Sequence, residues 1–179
     1  MVDSELLEKI RNPDTRNYGI NLLVRAYQQR VYWHVRKMVI DHDDADDITQ
    51  DVFIKVNNAI DRFREDAQLF TWIYRIATNE CLNFLNKKRR RFFFSIDDIG
   101  PELSAKIDSS PDIDGDEIQK KLQKALLKLP DKQRLVFNMK YFDDMPYDQI
   151  SQITNTSVGA LKASYHHAVK KIEDFMINN

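Results

Sequence analysis

The apolar residues of this chain recur every three or four positions over long stretches, and this spacing constrains the fold more than any other feature. The longest run predicts one amphipathic helix near residues 17–40. Its inward positions are Ile20, Leu23, Val24, Tyr27, Val31, Val35, Met38 and Val39. Strict alternation of apolar and polar residues, which would indicate strands, is hard to find. Glycine and proline are scarce, at 4 and 5 of 179 residues, so the sequence predicts an all-α protein.

Cysteine usage and hydropathy favour an intracellular setting. A lone cysteine, Cys81, cannot form an internal disulfide or a thiolate metal cage. The sequence shows no N-terminal signal peptide and no apolar run near the roughly 18 residues of a membrane span. We therefore expect a cytoplasmic protein.

The small net charge of −1 hides a strong segregation of charge. Residues 92–117 carry one cation against eight carboxylates, whereas the chain on either side is mildly basic. Within this region, residues 95–116 hold two of the five prolines and two of the four glycines. We interpret 95–116 as an acidic linker between two small helical domains, residues 1–94 and 117–179. Fully extended, the linker would reach roughly 70 Å, so the domains need not touch.

Residues 146–171 have the plan of a helix-turn-helix, with a short helix, a tight turn and a longer helix. Asn155 lies where the turn needs a residue that tolerates positive φ, and Ser157 can cap the second helix. The N-terminal part of such a helix reads base edges in the major groove. The outward positions are Gly159, Ala160, Lys162, Ala163, Ser164, His166, His167 and Lys170. The alternative is an ordinary helical hairpin with a solvated face.

A run of five cations, Lys87–Arg91, ends a helix rich in aromatic residues. Cations that hold phosphates beside rings that stack on bases would form a platform for single-stranded nucleic acid. The rings in question are Phe63, Phe70, Trp72 and Tyr74. The alternatives are a solvated helix end, since cations suit a C-terminus, and rings that lie in the core.

Three carboxylates, Asp44, Asp47 and Asp51, share one face of the preceding helix. Such a face can hold Mg²⁺ for phosphate chemistry in helical enzymes. No second carboxylate helix and no substrate pocket are evident, so a hydrated or protein-docking face is the better interpretation. We expect no metal, no cofactor and no catalytic residue.

Taken together and in order, these motifs resemble a bacterial RNA polymerase sigma factor of the sigma-seventy family, in its extracytoplasmic-function (ECF) group. DADDITQDVFIKV is similar to the family's core-docking signature, and FREDAQLFTWIYRIATNECLNFL to its segment that melts and reads the −10 element. The stretch from Leu129 to Ile172 is similar to its domain that reads the −35 element. The resemblance implies a dissociable initiation subunit that binds core polymerase and promoter DNA, often under the control of an anti-sigma factor. It further implies that the acidic linker threads the channel used by RNA.

The resemblance also implies roles for individual residues. The residues implied to contact the clamp helices of the largest polymerase subunit are Asp44, Asp47, Gln50, Asp51 and Lys55. Those implied in −10 binding and melting are Phe63, Arg64, Gln68, Phe70, Trp72, Arg75, Asn79, Asn83, Lys87, Lys88 and Arg89. Those implied in −35 binding are Ser157 and the outward positions of the last helix given above.

Two rival functions stay open at this stage. A stand-alone helix-turn-helix regulator would bind duplex DNA without polymerase, but it leaves residues 43–91 unexplained. A Mg²⁺-dependent helical enzyme built on Asp44, Asp47 and Asp51 would leave the helix-turn-helix unexplained.

Overall fold

The structure, a computed structural model, describes residues 3–92, 103–109 and 117–178. All regular structure in these ranges is helical, which confirms the all-α class. The helices are α1 (Asp3–Arg11), α2 (Arg16–Val39), α3 (His42–Ala59), α4 (Leu69–Phe92), α5 (103–108), α6 (Glu117–Leu127), α7 (Asp131–Phe137), α8 (Tyr147–Thr154) and α9 (Val158–Asn178). A 3₁₀ turn (Ile60–Arg62) follows α3, and a π-helical turn (Asn138–Phe142) follows α7. Residues 95–102 and 110–116 of the predicted linker lie outside the described ranges.

Helices α1–α4, the first unit, pack around α2, whose apolar stripe is buried as the spacing predicts. Val31, Val35 and Met38 are completely buried among residues of α3 and α4. Helix α1 crosses α2 closely at Gly19, where an added Cβ would lie 2.8 Å from Ile10 Cγ1. The absence of a side chain at this position allows the crossing.

The corner between α2 and α3 is fixed by local hydrogen bonds. Ile40 has a positive φ of 69°, which turns the chain out of α2. The carboxylate of Asp41 then caps α3 by accepting from the backbone N–H of Asp44 at 3.0 Å. Hydrogen bonds from the Lys106 ammonium and the Asp44 N–H hold the pKa of Asp41 below its ordinary value. These hydrogen bonds fix the start of α3.

Helices α6–α9, the second unit, have a core of their own. Pro130 precedes α7 immediately, and α7 packs against α9. The helical spacing of Ile118 and Leu122 predicts that both face inward, but Ile118 is 67% exposed. The buried part of α6 lies farther along the chain. The buried residues of this core are Ala125, Leu126, Leu129, Phe137, Ala168 and Ile172.

A short helix, α5, occupies the middle of the predicted linker. Leu103 and Ile107 lie one helical turn apart and are buried against Ile40 of the first unit and Leu127 of the second. Lys106 pairs with Asp41 at 2.5 Å. Composition alone predicts a loose segment here and does not reveal this anchored turn.

The two units pack against each other in this structure. The main apolar cluster runs from α2 and α4 into α7–α9, where it takes in seven buried residues: Leu135, Val136, Met139, Met145, Ile150, Ile153 and Leu161. Among the residues described, no helix is long and apolar enough to cross a membrane.

Candidate nucleic-acid and docking surfaces

The outer face of α3 carries the residues predicted to dock on a protein. Asp47, Gln50, Asp51 and Lys55 are exposed, while the opposite stripe of the helix is buried in the first unit. Ile54 lies on the same outer face with 58% of its surface exposed. Ile54 is not among the residues predicted from the sequence, although an apolar residue among charged outward positions could have indicated it.

Two members of this face are tied to α4. Asp44 is half-buried and pairs with Lys88 at 3.1 Å, and Lys55 pairs with Glu80. Asp47 and Asp51 form no ion pair among the described residues. Their carboxylates are therefore open to a basic partner surface, whereas Asp44 supports the packing of α3 on α4.

A loop at 64–68 connects the 3₁₀ turn to α4 and is held at its base by arginines from the first two helices. Arg16 donates to both carboxylate oxygens of Asp61, at 2.7 and 3.0 Å. This bidentate contact lowers the pKa of Asp61. Arg11 pairs with Glu65, which has a φ of 58°. Arg64 and Gln68 are exposed on this loop.

Most of the aromatic platform proposed from the sequence belongs to the core, which corrects that expectation. Phe63 and Phe70 are only 6% and 9% exposed, and Tyr74 is buried with them. The ring centroids of Phe70 and Tyr74 lie 4.1 Å apart. The guanidinium carbon of Arg30 lies 4.2 Å from the centroid of the Phe70 ring. Their helical spacing is that of the buried stripe, so the rings face inward. Only Trp72, packed on Phe63, is partly exposed near the loop.

The outer side of α4 presents the polar residues of the predicted set. Arg75, Asn79, Asn83 and Lys87 are exposed. Arg75 donates through Nε and Nη2 to the carbonyl of Gln152 in α8, at 3.1 and 2.8 Å. Lys88 and Arg89 are engaged in ion pairs with Asp44 and Asp131. The structure therefore brings four of the predicted −10 residues, Arg75, Asn79, Asn83 and Lys87, onto one side of α4, and part of that side faces the second unit.

The helix-turn-helix has the predicted geometry. Asn155 ends α8 in the left-handed conformation, with φ 53° and ψ 40°. The Ser157 hydroxyl accepts from the backbone N–H of Ala160 at 3.3 Å and caps α9. A Cβ added at Gly159 would meet nothing within 4 Å. The other predicted outward residues are exposed, except Ser164, which is half-buried beside a small cavity.

Two further groups considered from the sequence are the carboxylate face of α3 and the thiol of Cys81. Among residues 3–92, 103–109 and 117–178, no group of three or more acidic, histidine or cysteine side chains is arranged to hold a metal ion. Cys81 is completely buried, and burial raises the pKa of its thiol to about 12. This thiol is therefore not a nucleophile at neutral pH.

The fold and these surfaces define a class: a helical protein whose second unit contains a helix-turn-helix, and whose first unit has an acidic outer face on α3 and a basic, polar face on α4. Family models described as "Sigma-70 region 2" and "Sigma-70, region 4" match residues 23–91 and 119–172. Together they cover more than half of the chain.

The chain is also similar to individual sigma factors. The chain is 31% identical over 152 residues to the ECF RNA polymerase sigma factor SigW of Bacillus subtilis, covering 80% of this chain and 81% of that protein. It is 30% identical over 182 residues to the ECF RNA polymerase sigma-E factor of Escherichia coli K12, covering 97% and 94%. The sigma factor RpoE of Bartonella quintana, solved in complex with the anti-sigma factor NepR, superposes with a TM-score of 0.68 at 18% identity, covering 89% and 97%.

The chain therefore belongs to the sigma-70 family of RNA polymerase sigma factors, in its ECF group. It is an initiation subunit that binds core RNA polymerase and directs promoter-specific DNA binding and transcription initiation. It is not an enzyme, and the two rival functions are not favoured.

Proposed function

We propose that the outer face of α3 is the surface that docks on core polymerase. The observation that supports this most directly is that the exposed carboxylates Asp47 and Asp51 share one helix face with the exposed apolar side chain of Ile54. Carboxylates beside an apolar side chain suit a basic coiled coil such as the clamp helices of the largest subunit, because opposite charges steer the encounter while apolar burial supplies affinity.

Abortive transcription with purified core polymerase on a promoter library tests this assignment. The wild-type chain should give initiation from a shared pair of motifs. Asp47→Arg/Asp51→Arg should lose both this initiation and co-elution with core. The matched control is Glu5→Arg/Glu8→Arg, which makes the same charge change on exposed residues of α1. Equal loss in both variants would remove the specific role of α3.

We further propose that the loop at 64–68 and the outer side of α4 contact the −10 element. A base flipped from the non-template strand would be received beside the loop, and capture in a pocket would offset the few kcal/mol of lost stacking. Phe63 and Phe70 then support the loop from the core, while Trp72, Arg75, Asn79 and Asn83 lie nearer the DNA.

Replacing Lys87–Arg91 by alanine should weaken holoenzyme binding to promoter DNA and flatten its salt dependence. An unchanged salt slope would mean that this run is merely solvated.

We propose that residues 1–94 and 117–179 act as separate promoter-reading domains joined by 95–116, with α9 in the major groove at the −35 element. The small residues at the N-terminus of α9 support this, because they allow its backbone to approach the DNA closely. Lys162→Ala should weaken binding to a promoter that carries both elements. It should have little effect on one whose −35 element is scrambled.

We also propose that the protein acts in the cytoplasm, where core polymerase is found, and that an anti-sigma factor regulates it. The fold supports this, since the similar RpoE was solved with the anti-sigma factor NepR. Affinity capture from cells grown under several stresses should recover a non-polymerase partner. Recovery of polymerase subunits alone under every condition would argue against regulation of this kind.

A further inference from the structure

The loop at 64–68 has few contacts of its own that would hold it in one conformation. Among the residues that the structure describes, no backbone–backbone hydrogen bond involves residues 64–67. Glu65 has a φ of 58°, in the left-handed region that residues with side chains adopt rarely. Phe63 before the loop and Leu69 after it are buried and fix its two ends. The conformation between these ends therefore depends on contacts with other parts of the first unit.

The end of α1 contacts the middle of this loop. Arg11, the last residue of α1, donates from Nη2 to the Glu65 carboxylate at 2.5 Å. The residue with the unusual backbone conformation is therefore the residue that the ion pair holds. The two side chains are 55% and 48% exposed, and an exposed pair changes an equilibrium constant by up to about fivefold. An interaction of this size has little effect on folding, but it is large enough to select one conformation of a short loop.

Arg16, at the start of α2, holds the turn that precedes the loop. Its guanidinium donates to both carboxylate oxygens of Asp61, at 2.7 and 3.0 Å. It also donates to the carbonyls of Ile10 and Asn57, with longer distances of 3.4 and 3.5 Å. One side chain thus connects the end of α1, the end of α3 and the 3₁₀ turn. A planar guanidinium suits this position because its N–H groups form a fixed fork.

Helix α1 is itself well placed to support the loop. Leu6, Leu7 and Ile10 are buried in the main apolar cluster. Gly19 of α2 allows the backbone of α1 to approach closely at Ile10. The end of α1, from which Arg11 reaches the loop, is therefore fixed by packing that does not involve the loop. Both arginines precede residue 23, where the match to the region 2 model begins.

We propose that Arg11 and Arg16 are positioning residues for recognition of the −10 element. They act through Glu65 and Asp61, which hold the loop in the one conformation that fits the flipped base. The proposal rests on the assignment of the loop to the −10 element. A loop with several conformations binds with an affinity reduced by the fraction that is competent. Because only the competent conformation distinguishes bases, loss of these contacts lowers base discrimination more than general affinity for DNA.

Charge reversal tests the pair, because a reversed pair can form the same contact. The variants are Arg11→Glu, Glu65→Arg and the double variant Arg11→Glu/Glu65→Arg, each assembled with core polymerase. Arg25→Glu, at an exposed position of α2, is the matched control. The measurement is abortive initiation from a promoter recovered from the library, divided by that from the same promoter with one −10 base changed. Loss of folded protein or of a phosphate contact lowers both rates and leaves this discrimination ratio unchanged.

Each single reversal should lower the discrimination ratio about fivefold. The double variant should restore it to within about twofold of the wild-type value, because the two changes are coupled. Arg25→Glu should keep the wild-type ratio. Arg16→Lys should lower the ratio without a change in net charge, because an ammonium cannot replace the bidentate contact with Asp61. Circular dichroism should show that all of these variants are folded, as expected for exposed side chains.

A spin label measures the conformation of the loop in the free chain, without DNA. Cys81 is completely buried, so a nitroxide attached to Asp66→Cys labels the loop selectively. Its electron paramagnetic resonance spectrum should show a more mobile label in each single reversal and the wild-type mobility in the double variant. Unchanged mobility in the single reversals would overturn the proposal. A double variant with no recovery of the discrimination ratio would also overturn it, because direct contacts of these side chains with DNA would then explain the loss.

The variant Arg64→Ala/Gln68→Ala separates this proposal from the function on which it rests. It removes two exposed polar side chains of the loop that we assign to the −10 element. If this variant lowers the discrimination ratio and the charge reversals do not, the positioning role alone fails. If neither this variant nor the reversals change the ratio, the loop does not read the −10 element and both proposals fail.

Discussion

His34 provides a direct test of how the first unit is held together. It lies in α2 with 1% of its surface exposed, and its ring is centred 4.7 Å from that of Tyr74 in α4. Nε2 is 2.9 Å from the Thr78 hydroxyl, while Nδ1 is buried without a hydrogen-bond partner among the described residues. A proton on this ring would bring a charge into the core between α2 and α4. Folding therefore requires the neutral imidazole.

The pKa of His34 gives the size and the sign of the effect. Burial, with a smaller contribution from the positive charge of Lys37, lowers this pKa from 6.5 to about 3. In the unfolded chain the ring returns to its ordinary pKa, so the unfolded state binds the proton first as pH falls. The contribution of the neutral His34 ring to the free energy of unfolding is fully present above pH 6.5. It is lost as pH falls towards 3, at up to about 1.4 kcal/mol per pH unit. Between pH 7.5 and pH 5 the loss is about 2 kcal/mol.

Urea unfolding followed by circular dichroism at pH 7.5 and pH 5 measures this loss. From pH 7.5 to pH 5, the free energy of unfolding of the wild type should fall by about 2 kcal/mol more than that of His34→Gln. The glutamine keeps a polar group beside Thr78 but has no ring to protonate. His166→Gln, an exposed histidine on α9, should behave like wild type. Equal pH dependence in wild type and His34→Gln would refute the reasoning that burial keeps this ring neutral.

Three further predictions concern packing, capping and docking. Gly19→Ala should lower the free energy of unfolding by about 1–3 kcal/mol because its Cβ would meet Ile10. Gly159→Ala, with open space around it, should raise the same free energy by about 0.5–1 kcal/mol. Equal effects in urea unfolding would contradict this steric reasoning. Ser157→Ala should cost about 1 kcal/mol through loss of the α9 cap, and no change would show that the hydroxyl is dispensable. Ile54→Ser should leave stability within about 0.5 kcal/mol yet weaken binding to core polymerase roughly tenfold in a titration, whereas unchanged binding would place Ile54 outside the docking surface.

The sequence by itself determined the longer helices and most of their outward faces, but not α5 or the exposure of Ile118. The i, i+3 and i, i+4 spacing predicts α2 and α3, Asp41 and Ser157 act as caps, and Asn155 makes the left-handed turn. These features depend on residues within a turn or two of one another, so they leave a local signature. The ordered motifs were specific enough to indicate the family that the comparisons confirm.

Only the tertiary structure decided which residues near those faces are available for binding. Phe63 and Phe70 could have been a stacking platform by composition, but they belong to the core. The contacts that join the two units connect residues far apart in the sequence, such as Arg134 and Met38, which are 96 positions apart. Such contacts follow no local period, because they depend on how completed helices meet in space. The sequence therefore determined which polar residues lie on the outer faces of the helices, and the tertiary structure decided that Arg75 and Arg89, which we propose to contact DNA, lie against the second unit.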